Sequence, residues 1–418
     1  MRALTAAQAV AAAVVAARLA RGRHRPAPLA PPRRPPEPAP AASPAPAAPD
    51  GVAGAGAVEV SADAARSAGG EPISVVVPAR NEEERIGRCL VPLLRDPAVA
   101  EVIVVDDESR DETARLARRL AAAVVRGRPL PDGWVGKQWA LHQGVAAASG
   151  PVVVTLDADT RPAPGLCTAL AERLAGCDLV TAGPRFLCGG VAEQALHASF
   201  LAGLVYRFGP VGPDAPSPDR LLVNGQCMAF RRDAMVEADG FARVRRHLTD
   251  DVALARLLAR EGWRVEFVDA GDLLAVDMHD SAAQVWREWG RSLPLRDVTG
   301  PGGLAADLAV LWLTMALPVL RLAAGRPGPL DLALLAQRVL LTGALRRSYA
   351  PPRLGLALSP LFDAATAVRL TQAAVRPVRT WRGRTYGEAA VSPPVRPAGP
   401  PVREPAAPPA PPARSAAR

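Results

Sequence analysis

Three apolar, β-branched runs, each stopping abruptly at polar or acidic residues, constrain this chain more than any other feature. Ile73–Val77 runs into Pro78-Ala-Arg-Asn-Glu82, Val102–Val105 into Asp106-Asp107, and Val152–Leu156 into Asp157-Ala-Asp159. A strand with no polar face has to be covered on both sides, which predicts a sheet held between layers of helix. Further strands are expected at Leu179–Ala182, Cys227–Arg231 and Val265–Val268, and helices at Asp111–Ala122, Gln138–Ala148, Gly165–Leu174 and Asp250–Arg260. This βαβα alternation predicts an α/β fold whose sheet is mostly parallel and flanked by helices, and no repeat of solenoid length interrupts it.

In an open α/β sheet the ligand lies beyond the carboxyl ends of the strands, so the acidic ends are where chemistry is expected. The loop after the first strand lacks the G-x-G-x-x-G turn of a dinucleotide site. After the second, Ser109 or Asp111 capping a helix accounts for part of the acidity; Asp106 and Asp107 ask for a ligand. The third end resembles the Asp-x-Asp-x-Thr of haloacid-type phosphatases, but Thr160 falls one place early and Arg161 stands where the threonine belongs. An Asp-x-Asp end also sets two carboxylates near one point, where Mg²⁺ or Mn²⁺ bridges protein and diphosphate oxygens and offsets their repulsion.

The rest of the chain bounds the problem. Many of the 44 prolines cluster at Arg25–Pro49 and Pro393–Pro412 in alternation with alanine, which predicts a disordered linker over 26–70 and a basic, disordered tail over 376–418. A formal charge of +9 does not indicate nucleic acid, because the interior has no dense basic stripe and only 4% of residues are aromatic. The basic residues instead flank apolar segments, which fits a membrane surface. Five cysteines without a CxxC pair or zinc-ligand spacing read as reduced, partly buried thiols of a cytosolic domain.

Leu4–Ala20, followed by Arg-Gly-Arg-His-Arg25, reads as an N-terminal membrane anchor within 1–25 rather than a cleaved signal. Leu304–Leu322, Leu330–Leu345 and Leu354–Leu370 are each marginal against the roughly 20 apolar residues that a span requires. Three in succession predict membrane-associated helices over 301–375. The domain that carries the chemistry is then 71–300.

Taken in order, Ile73–Glu82, Val105-Asp-Asp-Glu-Ser-Arg-Asp-Glu-Thr113, Gly150–Asp159 and Leu248-Thr-Asp-Asp251 resemble the motifs of family 2 glycosyltransferases of the GT-A fold. Leu130–Ala140, with its Gly-Lys137, and Gln284-Val-Trp-Arg-Glu-Trp-Gly-Arg-Ser-Leu293 resemble the membrane-bound branch that includes diaponeurosporenoate (carotenoid) and hopanoid-associated glycosyltransferases. The resemblance implies that Pro78, Arg80, Asn81, Glu82, Asp106 and Asp107 hold the nucleoside of a nucleotide-sugar donor. Lys137 then meets the diphosphate or sugar, Asp157 lies near the donor sugar or ribose, and Asp159 binds Mg²⁺ or Mn²⁺. It makes Asp251 the catalytic base and Asp250 its neighbour on the acceptor side. The family's usual pair there is Glu-Asp, so the first side chain is shorter here.

The resemblance also places Gln284, Arg287 and Trp289 at the acceptor side or membrane interface. Glu288 interrupts the Gln-x-x-Arg-Trp of processive members, which argues against a polysaccharide synthase. A membrane-anchored scaffold that only binds sugar nucleotides is the alternative outside enzymes, and the retained Asp107, Asp159 and Asp251 argue against it. The expected partners are a nucleotide-sugar donor, a lipid-like acceptor and the cytoplasmic face of the cell membrane. The Ala-, Leu- and Phe-rich connection Val191–Tyr206, with His197 packed inside it, is the expected entry for the lipid.

Overall fold

The computed structural model describes residues 2–24, 27–31, 71–120, 122–210, 212, 217–376, 380–381 and 384–385. Most of the expected linker and tail lies outside these. A seven-stranded sheet is ordered β3-β2-β1-β4-β8-β6-β9, with β1 Ile73–Ala79, β2 Val99–Asp106, β3 Ala123–Arg126, β4 Val152–Leu156, β6 Leu179–Gly183, β8 Cys227–Arg231 and β9 Val265–Asp269. Strands β3, β2, β1 and β4 are mutually parallel, β6 and β9 are parallel, and β8 runs antiparallel between β4 and β6. A small second sheet joins β5 Thr160–Pro162, β10 Leu274–Val276 and β7 Arg185–Phe186 in the order β5-β10-β7.

The reason for strands apolar on both faces is visible in the packing. Val75, Val77, Val104 and Val154 pack with Ile86, Leu90 and Leu170 on one side, while Val76, Ile103, Val105 and Val153 pack with Leu141 and Val145 on the other. Alternate residues of each strand therefore enter different cores. Helix Gly136–Ala147 comes so close to the sheet that a Cβ on Gly144 would fall 2.3 Å from Val76 Cγ1.

Several boundaries differ from the sequence expectation. The Asp111 carboxylate accepts the Thr113 N–H at 3.0 Å, and the helix expected over Asp111–Ala122 spans Thr113–Arg119, shorter at both ends, with the edge strand β3 following from Ala123. The connection Val191–Tyr206 lies within an 18-residue helix, Val191–Phe208, whose long apolar run is buried on nearly every side. His197 within it is buried, with Nδ1 2.9 Å from Tyr349 Oη. All five cysteines are free and buried.

A helical layer packs on this long helix. Arg2–Arg23 and Pro301–Ala323 are long and apolar enough to cross a membrane by length and composition. The second contains a π turn at Trp312–Ala316. The run expected over Leu330–Leu345 forms helix Pro329–Ala344, whereas Leu354–Leu370 is broken by a 3₁₀ turn at Ser359–Phe362 into Leu354–Leu358 and Asp363–Val375. The N-terminal helix is docked by polar contacts: Gln8 Nε2 donates to Asp331 Oδ1 at 2.7 Å, and Arg18 Nη1 to the Tyr206 carbonyl at 2.9 Å.

Candidate active site

Because β2, β1 and β4 are adjacent and parallel, their carboxyl ends share one edge, and two loops are knitted there. Asn81, in the left-handed region at φ 54°, accepts the Arg110 N–H at 2.9 Å and donates its own N–H to Ser109 Oγ at 3.1 Å. Glu82 N–H donates to Thr113 Oγ1 at 2.8 Å. The Asp106 carboxylate accepts the Ser109 N–H at 3.2 Å, a turn-closing role. Asp107 faces a cavity, with Arg80 donating to its backbone carbonyl and Arg384 to its carboxylate. Burial pushes the Asp107 carboxyl above its ordinary value, and the two arginines oppose that shift.

At the end of β4 the two aspartates part company. Asp157 is held by Lys137, whose Nζ lies 2.7 Å from Oδ1 and 2.9 Å from Oδ2. Lys137 comes from the first turn of helix Gly136–Ala147. Burial pushes its ammonium down, but Asp157, Asp250 and Asp251 outweigh this and hold it above the usual lysine value, so it is charged. Asp159 is buried at the cavity wall, and its carbonyl accepts the Asp277 N–H at 3.3 Å, which ties the motif to the end of β10.

Among the described residues no three His, Cys, Asp or Glu side chains gather to hold a metal. Asp157 and Asp159 both border the cavity at this edge, and carboxylate oxygens are the donors that a hard cation takes.

Asp250 and Asp251 open helix Asp250–Arg260. The preceding Thr249 is fixed by Asp297, which accepts its N–H at 3.0 Å and its hydroxyl at 2.6 Å. Gly225 N–H donates to Asp251 Oδ2 at 2.8 Å. Asp250 Oδ2 is buried and accepts no hydrogen bond among the described residues. Burial raises both carboxyls above the ordinary aspartate value while Lys137 opposes it. A carboxylate made more basic in this way is suited to taking a proton near neutral pH.

One cavity of about 760 Å³ joins these groups. Pro78, Arg80, Glu82, Asp107, Lys137, Asp157, Asp159, Asp250, Asp251 and Trp289 all border it. Leu19, Leu201, Leu204, Leu341 and Leu345 from the helical layer border the same cavity. Asn81, Asp106, Gln284 and Arg287 do not border it. Gln284 instead accepts the Asp280 N–H at 2.8 Å and donates to Glu288 Oε1 at 3.1 Å, while Arg287 is exposed. Sequence reasoning missed the Asn224-Gly225-Gln226 wall, for which a turn signal before β8 was the one available clue. It also missed Glu288 as a wall residue, treating it as an interruption.

Residues 74–237 match the family model described as glycosyl transferase family 2. The 4,4'-diaponeurosporenoate glycosyltransferase of Staphylococcus aureus (strain USA300) is 43% identical over 88 residues, 21% of this chain and 24% of that protein. The match thus spans about a quarter of that relative's length. Glucosyl-3-phosphoglycerate synthase from Mycobacterium tuberculosis, solved with phosphoglyceric acid, is 24% identical with a TM-score of 0.39 over 59% of this chain and 82% of that chain. The same synthase with Mn²⁺, UDP-glucose and phosphoglyceric acid is 26% identical, with a TM-score of 0.39 and the same coverage. The matched residues 74–237 contain the acidic ends of β2 and β4, so this part of the chain is a domain similar to glycosyl transferase family 2.

Proposed function

We propose that this chain transfers a sugar from a nucleoside diphosphate, a UDP-sugar, to a lipid-like acceptor at the cytoplasmic face of a membrane, inverting the anomeric centre. The observation that carries this reading is one cavity lined both by carboxylates with Lys137 and by helix-borne leucines. A polar sugar nucleotide and a greasy acceptor can meet there without either being buried against the wrong surface.

In this reading Arg80 and Asp107 hold the nucleoside, and Lys137 supplies positive charge beside the diphosphate. A divalent cation, Mg²⁺ or Mn²⁺, would be held by Asp159 with diphosphate oxygens and would offset charge on the leaving group. Asp251, oriented by the Gly225 N–H, takes the proton of an acceptor hydroxyl as that oxygen attacks the anomeric carbon. The nucleoside diphosphate leaves from the opposite face, and one displacement inverts the configuration. Asp250 faces the acceptor.

The two long apolar helices support a membrane location, as do the exposed Leu332, Val339 and Leu340 of helix Pro329–Ala344. Arg21 and Arg23 beside the first helix support a cytoplasmic site. A carotenoid is the acceptor class suggested by the name of the diaponeurosporenoate relative.

Membranes containing the protein, given labelled UDP-glucose and a lipid extract, are expected to make lipid-soluble label that is lost with chelator and in Asp251→Asn. Transfer indifferent to both would sink the mechanism, and absence of lipid-soluble label from any UDP-sugar would sink the acceptor class.

A further inference from the structure

The carboxylate of Asp107 is held by a residue far along the chain. Arg384 Nη1 lies 2.9 Å from Asp107 Oδ1 and 2.6 Å from Oδ2, while its Nη2 donates to the Glu108 carboxylate. The partners are 277 and 276 residues apart in sequence. Arg384 opens β12 Arg384–Thr385, which pairs antiparallel with β11 Thr380–Trp381, beyond the last helix, Asp363–Val375. The chain therefore returns from the helical layer to the carboxyl edge of the large sheet.

Three observations separate this contact from an ordinary surface ion pair. First, the side chains are 16% exposed for Arg384 and 11% for Asp107, so solvent screens them little. Second, Arg80 directs Nη1 to the Asp107 backbone carbonyl at 2.5 Å and stands 3.8 Å from the carboxylate. Among the described residues, the hydrogen bonds to the Asp107 carboxylate come from Arg384. Third, Asp107 borders the cavity whereas Arg384, which holds its carboxylate, does not. Glu108 reaches Arg384 from a left-handed backbone, φ 56°, a conformation unfavourable for glutamate.

We propose that Arg384 is a positioning residue of the sugar-nucleotide site, fixing the carboxylate of Asp107 for the nucleoside so that the site is completed by the C-terminal segment. This rests on the assignment of Asp107 to the nucleoside made above. An ionised carboxylate only accepts hydrogen bonds, so an oriented Asp107 selects a base that offers an N–H. Left without its arginine, a carboxylate buried to this degree shifts toward its protonated form and loses both orientation and selectivity. Lysine keeps the charge but not the fork that meets two oxygens.

The test uses the full chain in membranes, with UDP and GDP as binding probes and labelled UDP-glucose as substrate. Arg384→Ala is expected to weaken UDP binding and raise the KM for UDP-glucose about tenfold, with kcat within about twofold, and Arg384→Lys to recover part of the loss. Donor KM unchanged in Arg384→Ala overturns the inference, and so does a lowered KM, which would make the segment a blocking strap. A fall in kcat alone, or a lowered Tm with no recovery in Arg384→Lys, also overturns it by making the contact merely structural. In each of these cases the wild type still binds UDP or GDP and the transferase reading stands. Wild-type protein that binds neither overturns that reading, and this inference with it.

Discussion

Gly225 donates its backbone N–H to Asp251 Oδ2 at 2.8 Å, and a Cβ built on Gly225 would fall 2.6 Å from Asp251 Cβ. The two residues sit on separate elements, the turn before β8 and the first turn of helix Asp250–Arg260, so the contact sets where the proposed base points. Gly225→Ala forces the pair apart. An offset of about 1 Å in a reacting group costs on the order of 100-fold in rate. We expect transfer to fall by about that factor in this variant, with donor KM little changed. Steady-state kinetics against donor and acceptor would check the split, and a variant as active as wild type would remove Asp251 from the base role.

Lys137 is the cation that the carboxylates Asp157, Asp250 and Asp251 share. Replacing it with methionine keeps much of the volume and removes the charge. Because Lys137 lowers the pKa of Asp250 and Asp251, its loss raises both. The acidic limb of the pH–rate profile is therefore expected to move to higher pH in Lys137→Met, and activity at neutral pH to fall at least tenfold. A limb that stays in place would show that neither aspartate governs it.

The same carboxyls leave a mark on stability. Burial pushes Asp250 up to about 7 in the folded chain, while an unfolded aspartate titrates at about 3.9. Between these values the folded state binds more protons than the unfolded one, so unfolding free energy decreases as pH rises across that window. Asp250 and Asp251 titrate as a unit, so the slope belongs to the pair. Asp250→Asn removes one member, and we expect its Tm to depend less on pH between about 4 and 7 than the wild-type Tm does. Thermal unfolding in detergent over that range measures it, and parallel Tm curves for the two proteins would contradict the burial argument.

Much of the sheet was legible because strands covered on both faces must be apolar throughout; Val152–Leu156 and Cys227–Arg231 match the structure residue for residue. The direction of β8 was not legible, since the composition of a buried strand is the same whether it runs parallel or antiparallel to its neighbours. The short strands β5, β7 and β10 escaped notice because two or three residues carry no period. At the site, Asp107, Asp157, Asp159 and Asp251 stand out as acids at element ends. Gly225 and Arg384 matter through a close approach and a long-range pairing, which no local pattern encodes. Gln284 and Arg287 share a helix with Trp289, but the turn of that helix brings Trp289 and Glu288 to the cavity.

The helix that forms part of the apolar wall, Val191–Phe208, is anchored by a buried charge pair. Arg338 Nε donates to Asp363 Oδ2 at 2.8 Å and Nη2 to Oδ1 at 3.1 Å, with each side chain 1% exposed. Ser199 Oγ, from the wall helix, donates to Asp363 Oδ1 at 2.7 Å, and Ser359 Oγ accepts from Arg338 at 3.1 Å. The pair thus joins helices Pro329–Ala344 and Asp363–Val375 to the helix carrying Leu201 and Leu204. Removing one partner strands the other charge, so Arg338→Met is expected to cost about 3–5 kcal/mol. Arg338→Met with Asp363→Leu leaves no stranded charge, and stability is expected to return to within about 1–2 kcal/mol of wild type. Unfolding in detergent reads the stability difference, and acceptor KM reads the wall. If the pair matters only for folding, the double variant recovers both; if Asp363 also sets the wall through Ser199, stability returns while acceptor KM stays raised. We expect the second pattern, because the Ser199 contact ends with Asp363, and an acceptor KM restored along with stability would refute it.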